Sequence, residues 1–424
     1  MSADLIESAP DARLRADPLA DQAVARILGA ADDGTPPLPR WEAVALIERE
    51  MAGWTTNGGL AGWQADAATP APVAAALEDF VRQAQRLPAW ADVGKIGCAE
   101  AVLADSGPMA CALLACASLP ESFMARTGME QDAGDALRGA TGLVFAVLAR
   151  GGLLDADGAG LAQVLRLRLT HAVTRHLIVR GNPAEALAYG AAIPALLPEG
   201  AGPQRALFAR GWDLRAHGLP CNQEALAHTL LGFHYVFLRS LRRLGLGLSR
   251  EEEGAWLHAW NVVGHLLGIE QGQLAGTMAQ AAQLFARLQR DARQAAGPRP
   301  AVAPGLLQAL RGAFAARALA PLPVLVARRL CGRATARELG LDGQVALFAR
   351  VLFACAMGAA RAVDGVLRLL APGVSIARLV MRLVGHRLAP RDWDLDPHAP
   401  RWIKAIEGRF RSARAGNAGR EVAA

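Results

Sequence analysis

LAQVLRLRLTHAVTRHLIV, residues 161–179, is the stretch whose reading decides the fold. It reads as one strongly patterned helix. Arg166 and Thr170 stand four apart and share a face, while Arg168, His171 and Arg175 recur at helical spacing on another. Leu165, Leu167, Leu169 and Val173 fill the space around them. Two arginines and a histidine turned inward on an apolar helix need partners, because buried unpaired charge is costly. The carboxylates of a bound cofactor would serve, and so would acidic side chains from elsewhere in the chain.

Working outward, nothing contradicts a helical protein. Of 424 residues 52% are apolar, enough for a large core, and only 5% are aromatic. Ala, Leu and Val dominate, and no sustained alternation of β-branched residues argues for a sheet. Helical pattern covers Trp41–Ala52, Pro72–Arg86, Val93–Ser106, Asp132–Ala149, Asn222–Leu244, Ser249–Leu267 and Leu274–Ala295. Ser249 with Glu252 reads as a capping box. Residues 181–219, broken by Pro and Gly, read as long loops with short helices. The expected organisation is a flexible lead over residues 1–40, a helical domain over 41–296, and a helical extension over 305–424 packed on or beside it.

The formal charge of +6 does not imply nucleic acid. Positive residues concentrate between Arg287 and Arg420, a density that suits peripheral contact with a membrane surface or an anionic partner, and that is more often simply a solvated face. The six cysteines form neither CxxC nor the CxxCH of covalent haem attachment. Met1–Arg15 is polar and acidic with no apolar signal segment, and the longest uncharged stretches are too short to span a bilayer comfortably. A cytoplasmic location, with loose membrane association, is the expectation.

Nucleophile elbows, Walker A loops and dinucleotide fingerprints are absent from the sequence. Histidines remain. His234 lies among Leu230, Leu231, Phe233, Phe237 and Leu238. Such a residue is ordinarily a core histidine, although apolar surroundings favour the neutral imidazole that binds iron. His258 and His265, seven apart with Trp256 and Trp260 nearby, read as a packing seam with histidine–backbone hydrogen bonds; a metal pair is the alternative.

Five segments in order carry a resemblance: RLPAWAD (86–92), CASLPE (116–121), RLRLTHAVTR (166–175), GLPCNQEALAHTLLGFH (218–234) and WNVVGHLLGI (260–269). Together they resemble the latex-clearing protein, or rubber oxygenase, family and its oxygenase-like relatives. The resemblance implies an all-α, globin-like bundle around a buried pocket for non-covalent haem b. It implies His234 as the iron ligand and Arg166 and Thr170 on the distal, catalytic side. His171, Arg175, Arg168 and Leu169 are then expected around the cofactor, the charged ones supporting its propionates. It implies O₂ as co-substrate and oxidative cleavage or oxygenation of an apolar, isoprenoid or lipid-like molecule. Rubber-cleaving members often carry Lys just before the threonine, where this chain has Leu169. With that change, a short 121–140 segment and no secretion signal, a smaller apolar substrate inside the cell is expected in place of polyisoprene. Two readings outside this family stay open: a cofactor-free helical scaffold or membrane-surface protein, and a non-haem iron enzyme.

Overall fold

Asp17 and Pro18 start the first helix, with Pro at a position where its missing N–H costs nothing. The computed structural model describes residues 11–29, 40–106, 113, 116–117, 142–189, 192–194, 211–245, 248–295, 307 and 321–370. Helix α1 (Pro18–Leu28) buries Ala20, Ala23, Val24, Ile27 and Leu28. The flexible lead expected over residues 1–40 is therefore corrected for this part: an apolar stripe at helical spacing gains too much from burial to stay in solvent.

Three hydrophobic clusters organise the described chain, two of them large. Of these two, one joins α1, α2 (Arg40–Ala52) and α3 (Ala71–Ala84). The other joins α4 (Val93–Ser106) with the helical residues 142–148 and most of the later helices. Helix α5 (Gly160–Val179), the stretch quoted first, lies between them. It gives Leu165, Leu169, Ala172, Val173 and Leu177 to the first cluster and Val164 to the second. Its first turn is capped from across the chain. Asn57 Oδ1 accepts from Leu161 N at 3.0 Å and Ala162 N at 3.3 Å, and its Nδ2 donates to the Gly152 and Asp155 carbonyls. These amides have no partner within the helix, so Asn57 fixes where α5 begins.

After α5 come α6 (Pro183–Tyr189) and α7 (Leu214–His217). Between them Ala192 pairs with Asp213 and Ile193 with Trp212 in an antiparallel two-stranded ribbon, which the sequence reading did not foresee. So short a pairing leaves no alternation to detect.

The long helix expected over Asn222–Leu244 is divided. Helix α8 (Gln223–Leu231) passes into a π-turn at Gly232–Val236 and continues as α9 (Phe237–Leu244). Helix α10 (Arg250–Leu266) starts on the capping box read from the sequence. Helices α11 (Met278–Ala295), α12 (Pro321–Cys331) and α13 (Arg333–Glu338) follow, with Val324, Ala327, Leu330 and Ala336 in the second cluster. The last, α14 (Leu347–Leu370), sets Phe353 and Met357 on that cluster and leaves Leu347, Phe348, Val351 and Leu352 exposed. Among the described residues no helix is long and apolar enough to cross a membrane.

Candidate functional site

From Gln163 to Thr174 α5 follows one rule. Gln163, Arg166, Leu167, Thr170, His171 and Thr174 are half-buried, and every residue between them is buried. Those positions are i, i+3, i+4, i+7, i+8 and i+11, a single helical face. His171 belongs to it, although dense surroundings press its imidazole down to about 4. Desolvation is the main cause and the nearby Arg175 charge adds to it. The His171 Nδ1 has no hydrogen-bond partner among the described residues.

Arg166 and Thr170 share this face. Among the described residues Arg166 has no carboxylate partner, and burial alone lowers its pKa, though a guanidinium stays protonated. The Thr170 hydroxyl donates to the Arg166 carbonyl at 2.7 Å, which leaves its lone pairs free to accept. Leu169, expected beside the cofactor, instead points to the opposite side and is fully buried against the α1–α3 cluster.

Arg168 and Arg175 also leave the half-buried face. Arg168 is bound at two points to Asp17 (Nε–Oδ2 2.5 Å, Nη2–Oδ1 2.8 Å) and donates to the Leu266 carbonyl. Arg175, 0% exposed, pairs with Asp21 at 2.7 Å and donates to the carbonyls of Pro220 and Cys221. Acidic side chains from elsewhere thus serve both arginines, the alternative that the sequence held open, and occupy the donors expected to support propionates. Desolvation holds the Asp21 carboxyl above its usual range, against the pull of Arg175.

The same network explains the GLPCNQ segment, 218–223. Gly218 has φ +67°, and a Cβ there would lie 2.4 Å from the Arg13 carbonyl oxygen. Pro220 and Cys221 accept from Arg175, and the Asn222 side chain caps α8 by accepting from Ala225 N at 2.9 Å. Gln223, 0% exposed, donates to the Ala16 and Gly268 carbonyls and accepts from Glu270 N. Four separate segments are tied here, and together they set where α8 begins.

Eleven positions past that start, in the π-turn, His234 is 1% exposed. Burial presses its imidazole down to about 3, so the ring is neutral at any ordinary pH, and among the described residues its Nδ1 lacks a partner. Leu167 from the α5 face and Phe233 and Tyr235 on either side of His234 pack against one cluster. π-Turns inserted in α-helices recur at functional sites. His228, on the preceding turns, lies stacked on Phe285 (5.6 Å, 14°) and is pressed to about 4 by desolvation.

His258 and His265 take the packing role. His258 Nε2 accepts from the Asp92 amide at 2.8 Å, and Trp90 sets its edge against both rings. The RLPAWAD segment is thereby docked on α10. Among the described residues no three His, Cys, Asp or Glu side chains gather closely enough to hold a metal ion by themselves.

The sequence profile of the family described as "ER-bound oxygenase mpaB/B'/Rubber oxygenase, catalytic domain" matches residues 141–362, more than half of the chain. The chain belongs to this family. It is therefore an oxygenase-family enzyme, and α5, the π-turn and α10 all lie within the matched residues. The structure of a latex clearing protein, LCP, in its closed state is similar to it with a TM-score of 0.58. That comparison covers 95% of this chain and 91% of that one at 17% identity, so it supports the helical fold alone. Among curated proteins no match is found.

Asp17, Asp21 and Asn57 escaped the sequence reading as parts of this assembly. A signal existed for the first two: acids four apart at the start of an amphipathic run, with two buried arginines elsewhere in need of partners.

Proposed function

We propose that this rubber-oxygenase-family enzyme is haem b-dependent, with His234 as the iron ligand, and that it oxygenates or cleaves an apolar isoprenoid or lipid-like substrate with O₂. His234 is the observation that carries the reading: a fully buried, neutral imidazole with an unpartnered ring nitrogen on a π-turn. A lone histidine would suffice to hold the iron of a haem, because the porphyrin would bring its own nitrogen ligands. The residues present fit that group, since an orphaned buried nitrogen is costly unless something binds it. When bound, the haem supplies the activation of O₂.

The chain's own residues then have defined tasks. His234 stays unprotonated and available. The half-buried face of α5 offers a guanidinium from Arg166, the accepting oxygen of Thr170, and the apolar Leu167 against which a hydrocarbon can lie. The α1–α3 cluster behind α5 excludes water from the other side. In cleavage, a carbon–carbon double bond and O₂ yield two carbonyl ends, one oxygen atom entering each.

An absorption spectrum with a pyridine haemochrome assay, on protein expressed with haem supply, tests the reading. Wild type is expected to show a Soret band and one haem per chain, and His234→Ala to lose both. A colourless wild type, or a His234→Ala protein with unchanged haem, would overturn it.

Peripheral membrane contact has one feature in its favour, the exposed Leu347, Phe348, Val351 and Leu352 on α14 of a positively charged chain. Flotation with anionic vesicles tests this; Phe348→Glu is expected to reduce binding.

A further inference from the structure

The π-turn at Gly232–Val236 puts one residue too many into a helical turn, and such a widening carries a backbone cost. An out-of-register carbonyl inside a core must find a donor. Within this stretch one carbonyl is met by a donor from another helix. Trp256 Nε1 on α10 donates to the Phe233 carbonyl at 3.2 Å. The same indole stacks on Phe237 (4.7 Å, 27°), and the next tryptophan, Trp260, stacks on Phe233 (4.9 Å, 11°). The residues immediately before His234 and three after it are thus each gripped by a ring from α10. The two tryptophans differ in one respect. Trp260 is fully buried and its Nε1 has no partner among the described residues, so it contributes bulk, whereas Trp256 contributes bulk and a hydrogen bond.

We infer that Trp256 is a positioning residue for His234: its indole N–H holds the π-turn open, and the π-turn sets the rotation of the His234 imidazole about the helix axis. A relaxed α-helical turn would carry each following side chain round by a large part of a turn, because one residue corresponds to about 100°. Ser240, whose hydroxyl donates to the Val236 carbonyl at 2.6 Å, closes the far end of the same irregular stretch. The buried Glu253, paired with Arg242, ties α10 to α9 one turn before Trp256. The inference rests on the proposed role of His234 as iron ligand.

Three full-length proteins test it: wild type, Trp256→Phe and Trp260→Phe. Trp256→Phe keeps a ring against Phe237 and loses the N–H; Trp260→Phe loses an N–H that has no acceptor among the described residues. Haem is titrated into each haem-free protein, the spectrum of the bound form is recorded, and hydrogen exchange is followed at the Phe237 amide, which donates to the His234 carbonyl. The expected result is haem affinity about tenfold or more weaker in Trp256→Phe, with an altered Soret position and faster Phe237 exchange. Trp260→Phe, which gives up ring bulk against Phe233 but no hydrogen bond to an acceptor among the described residues, is expected to move spectrum and exchange far less than Trp256→Phe does. Equal behaviour of the two variants, or a wild-type spectrum in Trp256→Phe, would overturn the inference. Should wild type itself bind no haem, the functional reading fails, and Phe237 exchange in the haem-free proteins alone decides the positioning claim. If Trp256→Phe does not fold, 3-benzothienylalanine at position 256, the same shape without the N–H, replaces it in every comparison.

Discussion

Arg168 and Asp17, 151 residues apart in the chain, form a two-point ion pair from which water is almost wholly excluded. Gly268, at φ +83°, closes over it: a Cβ there would meet the Asp17 carboxylate at 2.5 Å. The pair ties the start of α1 to the middle of α5 and, through the Leu266 carbonyl, to the end of α10. Removing one partner of a buried pair strands the other charge, which costs about 3–5 kcal/mol. Asp17→Asn is therefore expected to lower unfolding free energy by about 3 kcal/mol in urea titration, with an unchanged slope. Asp17→Leu combined with Arg168→Met should cost less than Asp17→Asn alone. A single variant as stable as wild type would show that the pair is not needed.

The trans cap at Asn57 makes a second claim about stability. Its side chain serves two amides of the first turn of α5 and two carbonyls of the 152–155 loop. Asn57→Ala is expected to cost roughly 2–4 kcal/mol, since buried groups on both sides lose partners. Asn57→Asp keeps the acceptor for Leu161 and Ala162 but sets a carboxylate oxygen against the Gly152 and Asp155 carbonyls, so at neutral pH it should cost at least as much as Asn57→Ala. Thermal unfolding of the three proteins gives the order; an Asp variant as stable as wild type would contradict the assignment of acceptor and donor.

Much of this architecture can be read from sequence because it is local. The α5 helix, the Ser249–Glu252 box and the start of α8 at Asn222 follow from spacing and capping chemistry within a few residues. His234 could be singled out only through the ordered motifs around it, because periodicity alone describes a core histidine. The face of α5 was partly misassigned. His171 lies at i+3 from Arg168 yet turns to the side of Arg166 and Thr170, a distinction that depends on what packs behind the helix. The acids that pair with Arg168 and Arg175 sit in residues read as a flexible lead, and the π-turn has no composition signature. Its stability comes from Trp256 on another helix, and no local rule reports that.

Glu48 supplies a pH test free of the proposed site. Its Oε1 is buried without a partner on α2, and desolvation raises its carboxyl to about 7 from 4.5. The folded protein therefore keeps the proton that the unfolded chain sheds near 4.5. Stability is lost as pH rises from 4.5 through 7, and the full cost is present at pH 8. Glu48→Gln is expected to gain roughly 1–2 kcal/mol over wild type at pH 8, allowing for partial solvent screening, and almost nothing at pH 5. Equal gains at the two pH values would mean that the substitution acts through packing and not through charge.

His228 has the opposite sign. Its imidazole is pressed to about 4 from 6.5 by desolvation, its Nε2 has no partner, and the ring lies flat against Phe285. The fold rejects a proton that the unfolded chain accepts below pH 6.5. Stability from this group is therefore complete above 6.5 and falls as pH drops toward 4, by up to about 1.4 kcal/mol per pH unit. His228→Phe keeps a ring on Phe285 and removes the titration. Unfolding free energies of the haem-free protein at pH 7, 6 and 5 should fall less steeply in the variant than in wild type. Some slope must remain, because His171 is depressed to a similar value and also takes up a proton only on unfolding. Parallel curves for variant and wild type would mean that His228 titrates normally in the folded protein. The desolvated environment assigned to the α8–α11 contact would then be wrong.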